Sequence, residues 1–96
     1  MKIIGSNEIY DFNGEPLKDN KGRVLTVGYA CGDALLQDYQ GSTLTYDEKV
    51  MRANLADKFK DGSSAELSSS EWETVKKCVG MRWAPIVVIA VDRAIA

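Results

Sequence analysis

The sequence predicts an α+β fold in which a short N-terminal antiparallel β-hairpin or three-stranded meander is followed by about four α-helices. Two observations support this prediction. Residues 1–25 combine apolar–polar alternation with turn dipeptides, which is typical of short strands. Residues 26–96 carry apolar side chains at helical spacing, together with capping residues and glycine stop signals. A chain of 96 residues can bury a modest core, so we predict a single, mostly helical domain.

The predicted β region is organised by two turns. Residues 9–12 alternate apolar and polar side chains, and the Asn13-Gly14 dipeptide that follows favours a tight hairpin turn. The returning strand contains Pro16, which cannot donate a ladder hydrogen bond and therefore belongs at a sheet edge. A second turn, residues 19–22, leads into a third short strand, and the first residues of the chain can join the sheet. No internal repeat is expected.

The first helix is predicted over residues 27–39, with Thr26 as its N-cap. Gly28 and Gly32 are four residues apart, a spacing that lets a neighbouring element approach the helix backbone closely. Alternatively, Gly28 belongs to a loose first turn. The apolar stripe of this helix comprises Val27, Cys31, Ala34 and Leu35.

The second helix is predicted over residues 46–60, begun by a capping box of Thr45 and Glu48 and ended at Gly62. Glu48 and Arg52 are spaced for a favourable ion pair along the helix. The apolar residues form two stripes on nearly opposite sides, which are Met51, Leu55 and Phe59, and Tyr46, Val50 and Ala53. A helix with two apolar stripes lies between two layers or exposes one stripe to a partner.

The third helix is predicted over residues 69–79, from a capping box of Ser68 and Glu71 to a stop at Gly80. Trp72 lies on its apolar stripe, which favours a position in the core.

The fourth helix is predicted to begin at Pro85, because a first helical turn tolerates the missing N–H. The residues after Pro85 are apolar over an arc of roughly 200°. Such an arc indicates either a central helix, received by the glycines of the first helix, or an interface. We favour the central position, for which Val87→Asp or Val91→Asp would unfold the protein.

The composition argues against several kinds of site. The chain has no histidine, and Cys31 and Cys78 lie on predicted apolar helix faces, so neither a thiol–imidazole nucleophile nor a zinc centre is expected. A net charge of −2 gives no footprint for phosphate neutralisation, so nucleic acid is not an expected partner. No apolar run is long enough for a membrane span or a signal peptide. We therefore expect no enzymatic activity, no catalytic residue, metal ligand or cofactor, and a cytoplasmic protein.

Apolar surface left over from the core identifies a candidate protein interface. Two helices carry more apolar surface than one small core needs, which favours a homo-oligomer or a different protein partner. Tryptophan is enriched at binding hot spots. Trp83, two residues before Pro85, lies at a junction near the surface, where it can equally contact a partner or cap the core. The candidate interface residues are Tyr46, Val50, Trp83, Ile86 and Val87.

Several short segments form a pattern spread over nearly the whole chain: DFNGEPL at 11–17, LTVG at 25–28, ALL at 34–36, DEKVMR at 47–52, LADK at 55–58, ELS at 66–68, VKKCVG at 75–80 and PIVV at 85–88. This pattern resembles small uncharacterised proteins encoded by bacteriophages and prophages. The resemblance implies a phage origin and a host bacterial cytoplasm, and it assigns a role to no individual residue.

Three functions follow as hypotheses. The favoured one is a non-enzymatic phage or prophage accessory protein that acts by binding another protein, with inhibition of a host factor as one form of that activity. The second is a virion assembly component, in the tail or in head completion. The third, a small nucleic-acid-binding regulator, is disfavoured by the acidic charge balance.

Overall fold

A computed structural model describes residues 1–41 and 43–96. Over these residues the chain forms four α-helices, two short strands and one 3-10 helix. In chain order they are β1 (Lys2–Ile3), α1 (Val27–Leu36), α2 (Tyr46–Asp57), the 3-10 helix (Lys60–Gly62), β2 (Ala65–Glu66), α3 (Ser69–Arg82) and α4 (Pro85–Arg93). The predicted α+β class and the four helices are confirmed.

The N-terminal strand pairs with a distant part of the chain rather than with its sequence neighbours. β1 is antiparallel to β2, with Lys2 opposite Glu66 and Ile3 opposite Ala65. Ile3 also forms a bridge to Ile95, beyond α4, so one short strand joins two distant segments. The predicted three-stranded meander is not seen in the described residues, because local pairing within residues 8–26 is limited to isolated antiparallel bridges.

The region expected to form the meander contains a closed ring of three backbone hydrogen bonds. The Ile9 N–H donates to the Leu25 carbonyl at 2.9 Å, the Leu17 N–H to the Ile9 carbonyl at 2.9 Å, and the Leu25 N–H to the Leu17 carbonyl at 2.7 Å. Each of the three segments thus touches both others, and extended ladders do not develop. Ile9 and Leu25 are buried, which anchors the ring on the core.

Two turns of the same geometry connect the three chain segments of this ring. The carboxylates of Asp11 and Asp19 each accept the backbone N–H groups two and four residues further on, at 2.8 to 3.0 Å. Gly14 and Gly22 complete the turns with φ of 83° and 80°, a conformation that glycine adopts at low cost. The Asp-x-x-Gly sequence therefore occurs twice with one structural role.

The helix N-termini are capped as predicted. The hydroxyls of Thr26, Thr45 and Ser68 each accept an N–H from the first turn of α1, α2 and α3, respectively. At α3 the Glu71 carboxylate also accepts the Ser68 N–H at 2.8 Å, which completes the capping box. α4 begins at Pro85, as expected. Local side-chain chemistry therefore determines where the helices begin.

The helix C-termini differ from the predictions. α1 ends at Leu36 rather than Tyr39, whose hydroxyl donates to a carbonyl in the last turn of α1. α3 continues through Gly80, which the sequence predicts as its end, and Gly80 does not adopt the left-handed conformation of a helix stop. The helix ends instead at Arg82, where the chain becomes extended ahead of Pro85.

α1 is the central element of the fold. It contacts α2, α3, α4 and the 3-10 helix, and most of its side chains are buried. The Gly28 N–H donates to the Gly5 carbonyl at 2.9 Å, and a Cβ at Gly28 would lie 3.0 Å from that oxygen and 3.3 Å from the Gly62 Cα. Gly32 faces α2. The prediction that these glycines receive α4 is therefore wrong, and the predicted close approach is made by other backbone.

α4 is an outer helix with one buried side. Val87 and Val91 are 3% and 2% exposed, whereas Ile86 and Ile89 are 38% and 41% exposed. The wide apolar arc is therefore divided between the core and the surface. The central position favoured for α4 belongs to α1, although Val87 and Val91 do hold α4 on the core.

Val91→Asp is expected to unfold the protein or to lower its unfolding free energy by about 4 kcal/mol or more, because an ionised carboxylate would be buried without a partner. Ile89→Asp is the matched control on the exposed side of the same helix, with an expected change within about 0.5 kcal/mol. Thermal unfolding followed by circular dichroism measures both. Equal effects would contradict the one-sided burial of α4.

Gly28→Ala and Gly80→Ala are expected to change stability in opposite directions. The added methyl group at Gly28 would press on the backbone at Gly5 and Gly62, which should cost about 1–3 kcal/mol. Nothing lies within 4 Å of a Cβ at Gly80, so alanine should stabilise α3 there by about 1 kcal/mol. Chemical denaturation gives both values, and a neutral Gly28→Ala would argue against the close contact.

The unfolding free energy is expected to fall as the pH drops below about 4. A hydrogen bond from the Arg23 N–H lowers the pKa of Asp19 from its usual range, and a hydrogen bond from the Ser68 N–H does the same to the pKa of Glu71. A group whose pKa is depressed by folding stabilises the protein above its unfolded pKa, and that stability is lost as it protonates. Denaturation between pH 6 and pH 2 should therefore show a shallower acid loss for the Asp19→Asn/Glu71→Gln double variant than for the wild type. Identical acid slopes would contradict this account.

Candidate partner interface

The five candidate interface residues lie on two separate surfaces. Tyr46 and Val50 are exposed on α2, at 81% and 41%. Ile86 is exposed on α4, and Trp83 is half-buried just before that helix. Val87 is buried in the core, so the folded chain does not present it to a partner. The sequence therefore indicated two candidate surfaces and one core residue rather than a single interface.

The first surface is an apolar groove between α3 and α4, which we name the α3–α4 groove. Its volume is about 600 Å³, within the range of protein ligand sites. Both tryptophans of the chain contribute to it, and the exposed side of α4 supplies much of the rest. The apolar lining is made by Trp72, Val79, Trp83, Pro85, Val88 and Ile89.

The position of Trp83 is fixed by contacts with α1. Its indole N–H donates to the Ala30 carbonyl at 2.9 Å. The Arg82 guanidinium lies 4.1 Å from the centre of the Trp83 ring, a cation–π contact, and forms an ion pair with Asp33 at 2.9 Å. The N–H group of Trp83 thus binds to α1 in the core, while its ring lines the α3–α4 groove. Trp83 therefore packs against the core, and its contact with a partner stays a prediction.

Charged side chains border the α3–α4 groove. Lys76 on α3 and Asp92 on α4 contribute to its lining. Lys76 also forms an ion pair with Glu73 at 3.1 Å on the exposed face of α3. An apolar floor with charged edges is the usual arrangement of a protein-binding site, in which the floor supplies affinity and the edges supply orientation.

The second surface is a small pocket between the C-terminal end of α1 and α2, which we name the α1–α2 pocket. Leu36, Leu44 and Ala53 form apolar walls, and Lys49 and Arg52 provide positive charge. Arg52 is only 7% exposed, and its Nη1 atom is buried without a hydrogen-bond partner among the described residues. The pocket therefore combines a buried cation with an opening to the surface.

The burial of Arg52 corrects two expectations for α2. Within the described part of the chain Arg52 forms no ion pair, whereas Glu48 lies against Thr45 in the capping interaction. Met51, assigned to the buried stripe, is 45% exposed. The buried face follows the positions i, i+3, i+4 and i+7 of a helix, and these are Arg52, Leu55, Ala56 and Phe59. If Ala56 is counted as apolar, this spacing forms a stripe that includes position 52. That stripe is the sequence signal that could have predicted the burial of Arg52.

The two cysteines are buried free thiols, as predicted. Burial raises the pKa of Cys31 to about 12. Burial also raises the pKa of Cys78, and the nearby positive charge of Arg52 offsets part of that rise. Since the thiolate is the reactive form, both side chains act as small apolar core residues at neutral pH.

Comparison with protein-family models, with curated proteins and with solved structures found no match to this chain. In the described residues no group of three or more potential metal ligands comes together. The four described helices are all too short or too polar to cross a lipid bilayer. The two surfaces described above are therefore the features on which a functional proposal rests.

Proposed function

We propose that this protein is a non-enzymatic accessory protein that acts by binding an apolar segment of another protein in the α3–α4 groove. The observation that carries the proposal is the position of both tryptophans, half-buried and lining an apolar groove whose α4 side remains exposed. A tryptophan held by neighbouring contacts loses little conformational freedom on binding and offers a large apolar face.

The rigidity of the groove supports binding rather than simple surface exposure. Trp83 is fixed to α1 by its hydrogen bond to Ala30, and Val91 packs α4 against the core beneath it. A preformed site avoids part of the ordering cost that association otherwise carries. A groove between two helices also suits an amphipathic helix, which presents apolar side chains every third or fourth residue.

The sequence resemblance supports a phage or prophage setting for this activity. In that setting the partner is a protein of the bacterial host, which the binding would inhibit. A second copy of the chain is the other occupant that an apolar groove of this kind admits. Sedimentation over a range of protein concentrations separates these two occupants.

Ile89→Asp is expected to weaken partner binding by at least about tenfold, because it places a charge in an apolar site at which the partner would desolvate it. Met81→Asp is the matched control, since Met81 is exposed to a similar extent, at 47%, but does not line the groove. The partner is first captured from a bacterial lysate with the wild-type protein and identified. Isothermal titration calorimetry with the purified partner then gives the affinities of all three forms.

The tryptophans provide an independent readout of the same experiment. Both tryptophans of the chain line the groove, so an apolar occupant should shift their fluorescence emission to shorter wavelength. Equal affinities of the wild type and Ile89→Asp, or partner binding with no emission change, would overturn the assignment of the groove. A monomeric protein that captures no partner would overturn the proposed function.

A further inference from the structure

The least explained feature of the fold is the burial of Arg52. A guanidinium group is charged at every physiological pH, and removing it from water without a counter-ion carries a cost of several kcal/mol. Buried polar atoms in native proteins almost always have a hydrogen-bond partner. Arg52 is 93% buried by its 7% exposure, and its Nη1 atom has no partner in the described part of the chain. A residue that is costly for stability is a candidate for function.

The α1–α2 pocket gives Arg52 access to a ligand. Arg52, Lys49 and Asp38 are the charged residues that line this pocket, whose volume is about 230 Å³. The carboxylate of Asp38 lies 3.7 Å from the Lys49 Nζ, but both side chains are largely exposed, so this ion pair holds Lys49 only weakly. The pocket thus has one weakly paired cation at its rim and, among the described residues, one guanidinium nitrogen of Arg52 without a hydrogen-bond partner.

The chemistry of the pocket favours a carboxylate on a short apolar stem. The planar guanidinium group matches the two oxygens of a carboxylate. Leu36, Leu44 and Ala53 provide apolar walls that suit methylene groups. The small volume and the chain's net charge of −2 disfavour a polyanion such as nucleic acid.

We propose that Arg52 binds the side-chain carboxylate of an aspartate or glutamate of the protein partner, at a second contact separate from the α3–α4 groove, with Lys49 at the rim of the site. This inference rests on the proposed function, because it assumes that the chain binds a protein. Tyr46 lies one helical turn before Lys49 and is 81% exposed, which provides apolar contact area beside the charged site. The occupant is therefore an acidic side chain flanked by apolar residues.

Titration with a blocked glutamate, N-acetyl-glutamate N-methylamide, tests the site without the partner. Nuclear magnetic resonance spectra of the labelled protein should show saturable shifts at Lys49 and at the Arg52 side chain. Arg52→Met should abolish them, whereas Arg93→Met, an exposed arginine on α4, should not. Inorganic phosphate is the comparison probe. Saturation by phosphate but not by the blocked glutamate, or no saturation by either, would overturn the proposal.

The stability of the free protein gives a readout that a purely structural role would not produce. Arg52→Met should raise the melting temperature by about 4 °C or more, because an apolar side chain of similar length replaces a buried guanidinium group whose Nη1 atom has no hydrogen-bond partner among the described residues. A fall in melting temperature would show that Arg52 supports the fold and would overturn the proposal. Arg52→Lys, which keeps the charge but loses the planar group, is the second variant and should bind the blocked glutamate more weakly than the wild type.

Partner binding distinguishes this inference from the proposed function. Arg52→Met should lower the affinity for the captured partner at least about 30-fold, as expected for loss of a buried charge pair. Full retention of the partner would overturn the carboxylate assignment and leave the proposed function standing. Capture of no partner by the wild type would overturn the proposed function, and with it the assignment of the carboxylate to a protein.

Discussion

The fold depends on a close backbone contact among Gly5, Gly28 and Gly62. A Cβ at Gly5 would lie 2.1 Å from the Ser63 carbonyl oxygen, so a larger residue has no room there. This contact brings together the turn after β1, the first turn of α1 and the 3-10 helix. Because β2 begins just after that 3-10 helix, the same contact sets β2 beside β1. The two-stranded sheet is thus a consequence of how closely the backbone at Gly5 and Gly62 approaches α1.

Local features of this fold were predictable from the sequence, and long-range pairing was not. Thr26, Thr45 and Ser68 cap helices through groups within four residues of themselves, so the sequence alone contains the necessary information. β2, the partner of β1, comes after α1 and α2 in the sequence, and two-residue strands carry no register signal of their own. The two Asp-x-x-Gly turns were predictable as turns. The ring of backbone hydrogen bonds was not, because it requires Ile9, Leu17 and Leu25 to come together.

The candidate surfaces were only partly predictable, because helical spacing does not define how far a stripe is buried. The exposure of Tyr46, Val50 and Ile86 agrees with the excess of apolar surface seen in the sequence. Val87 has the same chemistry but faces the core, a difference that depends on the orientation of α4. The spacing of Glu48 and Arg52 predicts an ion pair along α2, whereas the structure buries Arg52. Its burial places a positive charge inside the α1–α2 pocket.

Residue-resolved native-state hydrogen exchange tests the central role of α1 most directly. The turns of α1 from Ala30 to Leu35 should exchange only through global unfolding, because α1 contacts the three other helices and most of its side chains are buried. The amides of α4, which is packed on one side, should exchange faster through local opening. Slower exchange in α4 than in α1 would contradict the account and place the centre of the fold at the C-terminal helix.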